Sequence, residues 1–131
     1  MLSRNNNNKN NMEETLFDVN GNPVAYIAYS DEETIYLWGG EPVAYLDDDS
    51  IYGFNGIHLG WYEDGVIRDH DGNIVGTNEK TAAVFVKFEP FKGFKKFKPF
   101  KAFKQFEPFK PFYHTTQSSL PLDEFLQQGE R

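Results

Sequence analysis

The chain has 131 residues and 39% hydrophobic content, which suffices for one modest core but not for two. It contains no cysteine, so a disulfide scaffold and a thiolate metal site are both excluded. The net charge of -7 conceals an asymmetry, because residues 13–79 carry fifteen acids and one base while residues 80–114 carry nine lysines and two acids.

Residues 1–14 are polar and rich in asparagine, and they show no hydrophobic periodicity. We interpret them as a disordered N-terminus. The chain has no apolar segment of the kind that forms a signal peptide or a transmembrane helix. We therefore expect a cytoplasmic protein.

One short pattern occurs four times in residues 15–86, and each copy is centred on a glycine. An aliphatic residue stands five positions before each glycine, another stands three positions after it, and a small residue follows. The four glycines are Gly21, Gly40, Gly56 and Gly72, the aliphatic pairs are Leu16/Val24, Ile35/Val43, Ile51/Leu59 and Ile67/Val75, and the small residues are Ala25, Ala44, Gly60 and Gly76.

Asn-Gly, Gly-Gly and Asp-Gly dipeptides at these centres favour type I′ turns, so each copy predicts a β-hairpin. A single hairpin is marginal in water, but four can share one core. We predict an all-β domain of four hairpins with a pseudo-four-fold arrangement, in which the copies meet at their small residues. Residues 81–86 are β-prone and predict a last strand.

Phenylalanine recurs at every third position from Phe85 to Phe112. This spacing fits neither an α-helix nor a strand, but a polyproline II helix has three residues per turn and would align all the rings on one edge. Lysines dominate the positions that directly follow a phenylalanine. We therefore predict that residues 87–114 form an extended, polyproline-II-like tail.

A long apolar edge cannot comfortably face water. We predict that it packs on the β-domain or mediates oligomerisation, while the lysines meet the acidic loops. The predicted interaction residues are Phe88, Phe91, Phe94, Phe97, Phe100, Phe103, Phe106, Phe109 and Phe112. The expected partner is a second copy of the chain or another protein.

Residues 115–131 contain one helical pattern. Serine residues 118 and 119 would supply the N-cap, Pro121 suits the first turn, and Leu122, Phe125 and Leu126 form one apolar face. We predict a short helix that docks on the core.

Residues 55–76, together with the upstream Pro-Val-Ala-Tyr copies and the period-three tail, resemble the bacterial four-fold beta-flower domain. The resemblance covers roughly residues 15–126. It implies a small β-domain of four hairpin petals, and it implies no enzymatic activity or functional residues.

Few residues suggest chemistry. His58, His70 and Asp69 could serve a small hydrolase, but residues of one hairpin alternate between faces, which favours a structural role. The Asp-x-Asn/Asp-Gly-Asn segments at residues 18–22 and 69–73 resemble the start of a calcium loop but lack the glutamate at its twelfth position. We therefore expect no enzyme activity, no metal and no cofactor.

The repeated aromatic residues allow a ligand pocket, although core packing is the more common role of such residues. They are Tyr26, Tyr36, Tyr45, Tyr52 and Trp61. The lysine edge of the tail allows a nucleic-acid or other polyanion site, and lysine with phenylalanine allows membrane binding. The acidic remainder opposes both. Our leading hypothesis is a non-enzymatic interaction or assembly module, with the polyanion module and the hydrolase as alternatives.

Overall fold

A computed structural model describes residues 12–131, so residues 1–11 of the segment predicted to be disordered lie outside the described residues. The predicted boundary of that segment is wrong, because Glu13 and Glu14 belong to the first strand. Eight antiparallel strands form one closed sheet in which each strand pairs with its neighbours in sequence and the last pairs with the first. The strands are β1 Glu13–Asp18, β2 Pro23–Ala28, β3 Thr34–Leu37, β4 Pro42–Asp47, β5 Ser50–Gly53, β6 His58–Glu63, β7 Val66–Arg68 and β8 Ile74–Thr77. The prediction of an all-β fold built from four hairpins is confirmed.

The predicted type I′ turns are wrong. At each of the four hairpin turns only the glycine has positive φ, and in the first turn the Gly21 amide donates to the Asp18 carbonyl at 3.0 Å. Each hairpin also carries one irregularity of register near this turn. These features describe a type I turn followed by a glycine bulge. Between β6 and β7, by contrast, Asp64 and Gly65 both have positive φ, as a type I′ turn requires.

The interior of the sheet is aliphatic. Leu16, Ile35, Ile51 and Ile67 are all at most 1% exposed, and they occupy the predicted position five residues before each glycine. The C-terminal helix α1, Leu122–Gln127, inserts its own apolar face into the same core. The predicted packing of this helix is therefore confirmed, and the helix helps to fill the interior of the closed sheet.

The predicted serine N-cap of the C-terminal helix is wrong. The N-cap is Pro121, whose side chain has no acceptor for a capping bond, and Ser118 Oγ accepts the Leu120 amide at 3.3 Å before the helix begins.

The predicted meeting of hairpin copies at the small residues is present at Gly60 and Gly76, and these two positions also face α1. A β-carbon on Gly60 would overlap the Arg68 carbonyl oxygen and lie 3.0 Å from the Phe125 ring. One on Gly76 would lie 2.6 Å from the Phe17 carbonyl oxygen and 3.0 Å from Leu122, so both the next hairpin and α1 need these positions to be small.

Residues 81–86 do not form the predicted last strand. Because β8 pairs with both β7 and β1, the closed sheet has no free edge beside it on which a further strand could pair. The chain instead crosses to the first hairpin turn and makes a second circuit of the sheet, without helix or strand. We call residues 85–114 the belt.

Candidate functional site

The belt is fixed to the sheet at intervals of nine residues. At each fixed point a belt amide donates a hydrogen bond to the carbonyl oxygen of one of the four turn glycines. The bonds are Lys87 to Gly21 at 2.9 Å, Lys96 to Gly40 at 3.0 Å, Gln105 to Gly56 at 2.8 Å and His114 to Gly72 at 3.0 Å. Each nine-residue segment of the belt therefore spans one hairpin, which extends the four-fold repeat of the sheet to the belt.

The turn glycines permit this close approach. A β-carbon on Gly21 would lie 2.6 Å from the Phe85 carbonyl oxygen, and the other three glycines make the same kind of contact, nine residues apart along the belt. Their positive φ values also strain any other residue. Glycine is thus required here by the belt as well as by the turn.

Proline occurs where the belt needs no donor. Further amide bonds run from Gly93 to Trp38 at 2.8 Å and from Ala102 to Phe54 at 2.9 Å. Every belt amide that bonds to the sheet is at a position divisible by three, and Pro90, Pro99 and Pro108 fill positions of the same phase between them. One edge of a rod with three residues per turn therefore faces the hairpin turns.

The outer side of the sheet carries a layer of aromatic side chains beneath the belt. Tyr26 stacks on Tyr36 with ring centroids 5.6 Å apart, and Tyr45 stacks on Tyr52 at 6.2 Å. All four are at most 4% exposed, and Trp61 is fully buried. The prediction that these repeated aromatics pack in a core is confirmed, although the core is an outer one between the sheet and the belt.

Lysines of the second belt edge cover these aromatic faces. Lys92 Nζ lies 4.6 Å from the Tyr26 ring centroid, and Lys101 Nζ lies 4.2 Å from that of Tyr45. Such cation–π contacts let the aliphatic stem of a lysine bury while its ammonium group stays polar. The basic edge of the belt thus faces the protein.

Five of the six lysines on this edge, all but Lys101, pair with acids of the sheet and its loops. The pairs are Lys92 and Lys95 with Glu13 at 2.9 and 3.0 Å, Lys98 with Asp31 at 2.7 Å and Glu32 at 2.9 Å, Lys110 with Asp49 at 2.5 Å and Glu63 at 2.9 Å, and Lys104 with Asp47. Lys96, which lies on the belt edge that faces the turns, also pairs with Glu41. The predicted meeting of lysines and acidic loops is present.

Electrostatics at these pairs favours the charged forms. Burial would raise the pKa of Glu13, but hydrogen bonds from Lys92 and Lys95 outweigh it and hold that pKa below its usual value. At Asp31, too, burial raises the pKa, but the hydrogen bonds from Lys98 and Tyr36 lower it by more, so the pKa lies below its usual value. The belt is therefore attached by charge as well as by backbone hydrogen bonds.

The third belt edge carries the phenylalanines, and it faces outward. All ten rings from Phe85 to Phe112 are between 87% and 102% exposed. The prediction that the rings pack on the β-domain is therefore wrong for the isolated chain. The lysine edge and the backbone edge occupy the two sides of the rod that face the protein, which leaves only the outside for the rings. We call these ten side chains the ridge.

The predicted hydrolase residues are His58, His70 and Asp69, and the structure brings together only the two histidines. His58 Nδ1 lies 2.9 Å from His70 Nε2, and His58 Nε2 lies 3.0 Å from Ser50 Oγ. Asp69 instead accepts the amides of Asp71 and Asn73 within its own turn. Ser50 is not among the predicted residues, although it lies two residues before Tyr52 on the same face of β5.

This Ser-His-His chain is closed to substrates. Ser50 and His58 are each 1% exposed, and belt residue Gln105 accepts the His58 amide through Oε1 at 2.9 Å. A nucleophile needs access to a reacting carbonyl as well as a base. The arrangement therefore favours a structural role for the predicted hydrolase residues.

The two segments that resemble calcium loops are Asx turns. Asp18 Oδ1 accepts the amides of Asn20 and Asn22, as Asp69 does in the fourth hairpin. Within residues 12–131, no three histidine, cysteine or carboxylate side chains cluster as metal ligands.

Over residues 14–126 the chain matches the profile of the family described as 4-fold beta flower protein. The chain belongs to this family. Its four petals are the four hairpins, and the matched region also takes in the belt and most of α1 of this beta flower protein. Searches of curated proteins and of solved structures found no similar chain. In the part of the beta flower that the structure describes, no helix has the length and apolarity needed to cross a membrane.

Proposed function

We propose that this beta flower protein is a non-enzymatic interaction or assembly module whose contact surface is the ridge. The observation that carries the proposal is the near-complete exposure of ten phenylalanine rings on a backbone fixed to the sheet. Exposed apolar patches of this kind are typical of protein contact sites.

The size of the ridge supports this function. At about 150–250 Å² per ring, ten rings present about 2,000 Å² of aromatic surface. The largest apolar patch on a typical monomer is about 300–600 Å². Burying each ring is worth about 1.5–3 kcal/mol, so even a few rings per contact stabilise a complex substantially.

The attachment of the belt also favours binding. A free Phe-rich segment would lose conformational entropy when it binds, which weakens association. Here the backbone bonds at Lys87, Lys96, Gln105 and His114 already hold the belt extended. The rings are therefore presented in a fixed order before any partner arrives.

The alternatives receive less support. A polyanion module needs free lysines, yet Lys92, Lys95, Lys98, Lys104 and Lys110 pair with acids of the sheet. The hydrolase needs an accessible nucleophile, and Ser50 is 1% exposed.

The test compares complexes in extracts of cells that produce the tagged full chain. We expect the wild-type chain to elute from a sizing column well above its 15.1 kDa mass, since the ridge holds it in a complex. Replacing every second ring by serine, at Phe91, Phe97, Phe103 and Phe109, should shift the chain to the monomer position. The matched control changes Asp71 and Glu79, which are exposed off the ridge, to serine and should elute like the wild type. Equal elution of the wild type and the ridge variant would overturn the proposal.

A further inference from the structure

We infer that the occupant of the ridge is the ridge of a second copy of this chain, the two interdigitating in an antiparallel zipper. This inference rests on the proposed function and names its partner. It is carried by the spacing of the rings, by the neutral flanks of the ridge and by its area.

The spacing of the rings makes the ridge complementary to itself. A rod with three residues per turn rises about 3.1 Å per residue, so successive rings stand about 9.3 Å apart. When a second ridge of identical spacing fills these gaps, successive rings alternate between copies at about 4.7 Å. That separation lies within the range of about 4.5–7 Å at which aromatic rings pair favourably.

The symmetry of such a contact is the commonest one in oligomers. A two-fold axis perpendicular to the ridge brings two identical edges together in opposite directions, so that each copy gives and receives the same contact. The period is uniform over the ten rings, so no special sequence is needed at the centre of the zipper. A partner with any other spacing would leave gaps between the rings.

Charge does not oppose this contact locally, although the whole chain carries -7. On the flank of the ridge, Lys92, Lys98 and Lys110 are compensated by acids of their own chain. Two ridges can therefore approach without bringing rows of like charge together. For the same reason the flank offers little attraction to an anionic membrane surface.

The area agrees with a stable contact. Four or five rings from each copy would bury roughly 800 Å² per copy, which is the standard size for a specific protein interface. The belt reaches the turns of all four hairpins of a closed sheet, so one straight contact cannot cover all ten rings. The remaining rings are left for a further copy, and the chain should form species larger than a dimer as its concentration rises.

The test mixes two purified variants of the chain whose ridges carry opposite charges. One variant carries Phe91→Glu, Phe97→Glu, Phe103→Glu and Phe109→Glu, and the other carries lysine at the same positions, where each ring is at least 101% exposed. In sedimentation velocity we expect the wild type to associate in a concentration-dependent way and each variant alone to be monomeric. An equimolar mixture should associate at least tenfold more tightly than either variant alone.

Three results would overturn the zipper. They are a wild type that stays monomeric at every concentration, a mixture that stays monomeric although the wild type associates, and a wild type that associates only when phosphatidylcholine vesicles bind its ridge. A monomeric purified chain whose extract complex still depends on the ridge would refute the zipper alone and leave the proposed function intact. Circular dichroism checks the fold of the variants, and a pair changed only at Phe97 and Phe103 replaces any that fail to fold.

Discussion

The carbonyl oxygen of Phe94 occupies the space that a β-carbon on Gly40 would need. Gly40 also has a φ of +102°, which other residues rarely adopt. A hairpin turn and a distant segment of the chain thus impose the same requirement on one residue.

Replacing Gly40 by alanine should therefore release the belt at the second hairpin. The clash is with backbone, which cannot rotate away, and the positive φ adds strain. We expect Gly40→Ala to lower the free energy of unfolding in urea by about 2 kcal/mol or more. Trp38 donates to the Pro90 carbonyl through Nε1 at 3.1 Å, so its fluorescence should report the loss of the belt.

The neighbouring glycine provides the control. The nearest atoms to a β-carbon on Gly39 would be those of the flexible Glu41 carboxylate, and the φ of Gly39 is not positive. Gly39→Ala should change the free energy of unfolding by less than about 1 kcal/mol. If Gly39→Ala and Gly40→Ala lower the free energy of unfolding equally, the close approach of the belt is not the reason for glycine at position 40.

The ridge should contribute nothing to the stability of the single chain. The Phe97 ring is 101% exposed, whereas the Phe125 ring of α1 is 2% exposed. We expect Phe97→Ser to leave the unfolding free energy of dilute protein within about 0.5 kcal/mol of the wild type. Phe125→Ala should cost about 3–5 kcal/mol because it empties the core beside Gly60. Comparable losses from the two changes would mean that the ridge is buried within the chain.

Acid should destabilise the fold through His58. Burial, with a smaller effect of His70, lowers the pKa of His58 to about 4 from an ordinary value of 6.5. The groups around it are Ser50 and Tyr52 on β5, Trp61 on β6, His70 on the fourth turn, and Gln105 and Glu107 on the belt. Between pH 6.5 and 4, His58 binds a proton in the unfolded chain but stays neutral in the folded chain, so the free energy of unfolding falls as the pH falls through this window.

The expected slope in that window is up to about 1.4 kcal/mol per pH unit, measured by urea unfolding at a series of pH values. His58→Gln should flatten it. His114→Gln should leave it unchanged, because that side chain is exposed. A slope that survives in His58→Gln would assign the effect to other groups.

Much of the fold can be predicted from the sequence. The four glycine-centred copies gave the hairpins because the aliphatic positions and the turn residues agree with one another. The turn type could not be read from the dipeptides, since a glycine bulge and a type I′ turn both place glycine at the same point. The closure of the sheet was also missed, and with it the reason why residues 81–86 are not a strand.

The orientation of the belt could not be predicted from the rule that apolar residues point inward. That rule favoured buried phenylalanines, but the sheet already presents an aromatic outer face, on which lysine stems pack while their ammonium groups reach Glu13, Asp31 and Asp49. One signal was available in the sequence. Pro90, Pro99 and Pro108 recur at the interval of nine that separates the anchoring amides, which marks their edge as the one facing the turns.

The most direct test of the account is hydroxyl-radical footprinting of the purified chain over a dilution series, read residue by residue by mass spectrometry. In dilute solution we expect the ten phenylalanines to be oxidised while Tyr52 and Trp61 beneath the belt are protected, and at high concentration the phenylalanines should become protected as well. Phenylalanines that are protected even at the highest dilution, together with oxidised Tyr52 and Trp61, would contradict a belt that faces inward with its lysines and outward with its rings.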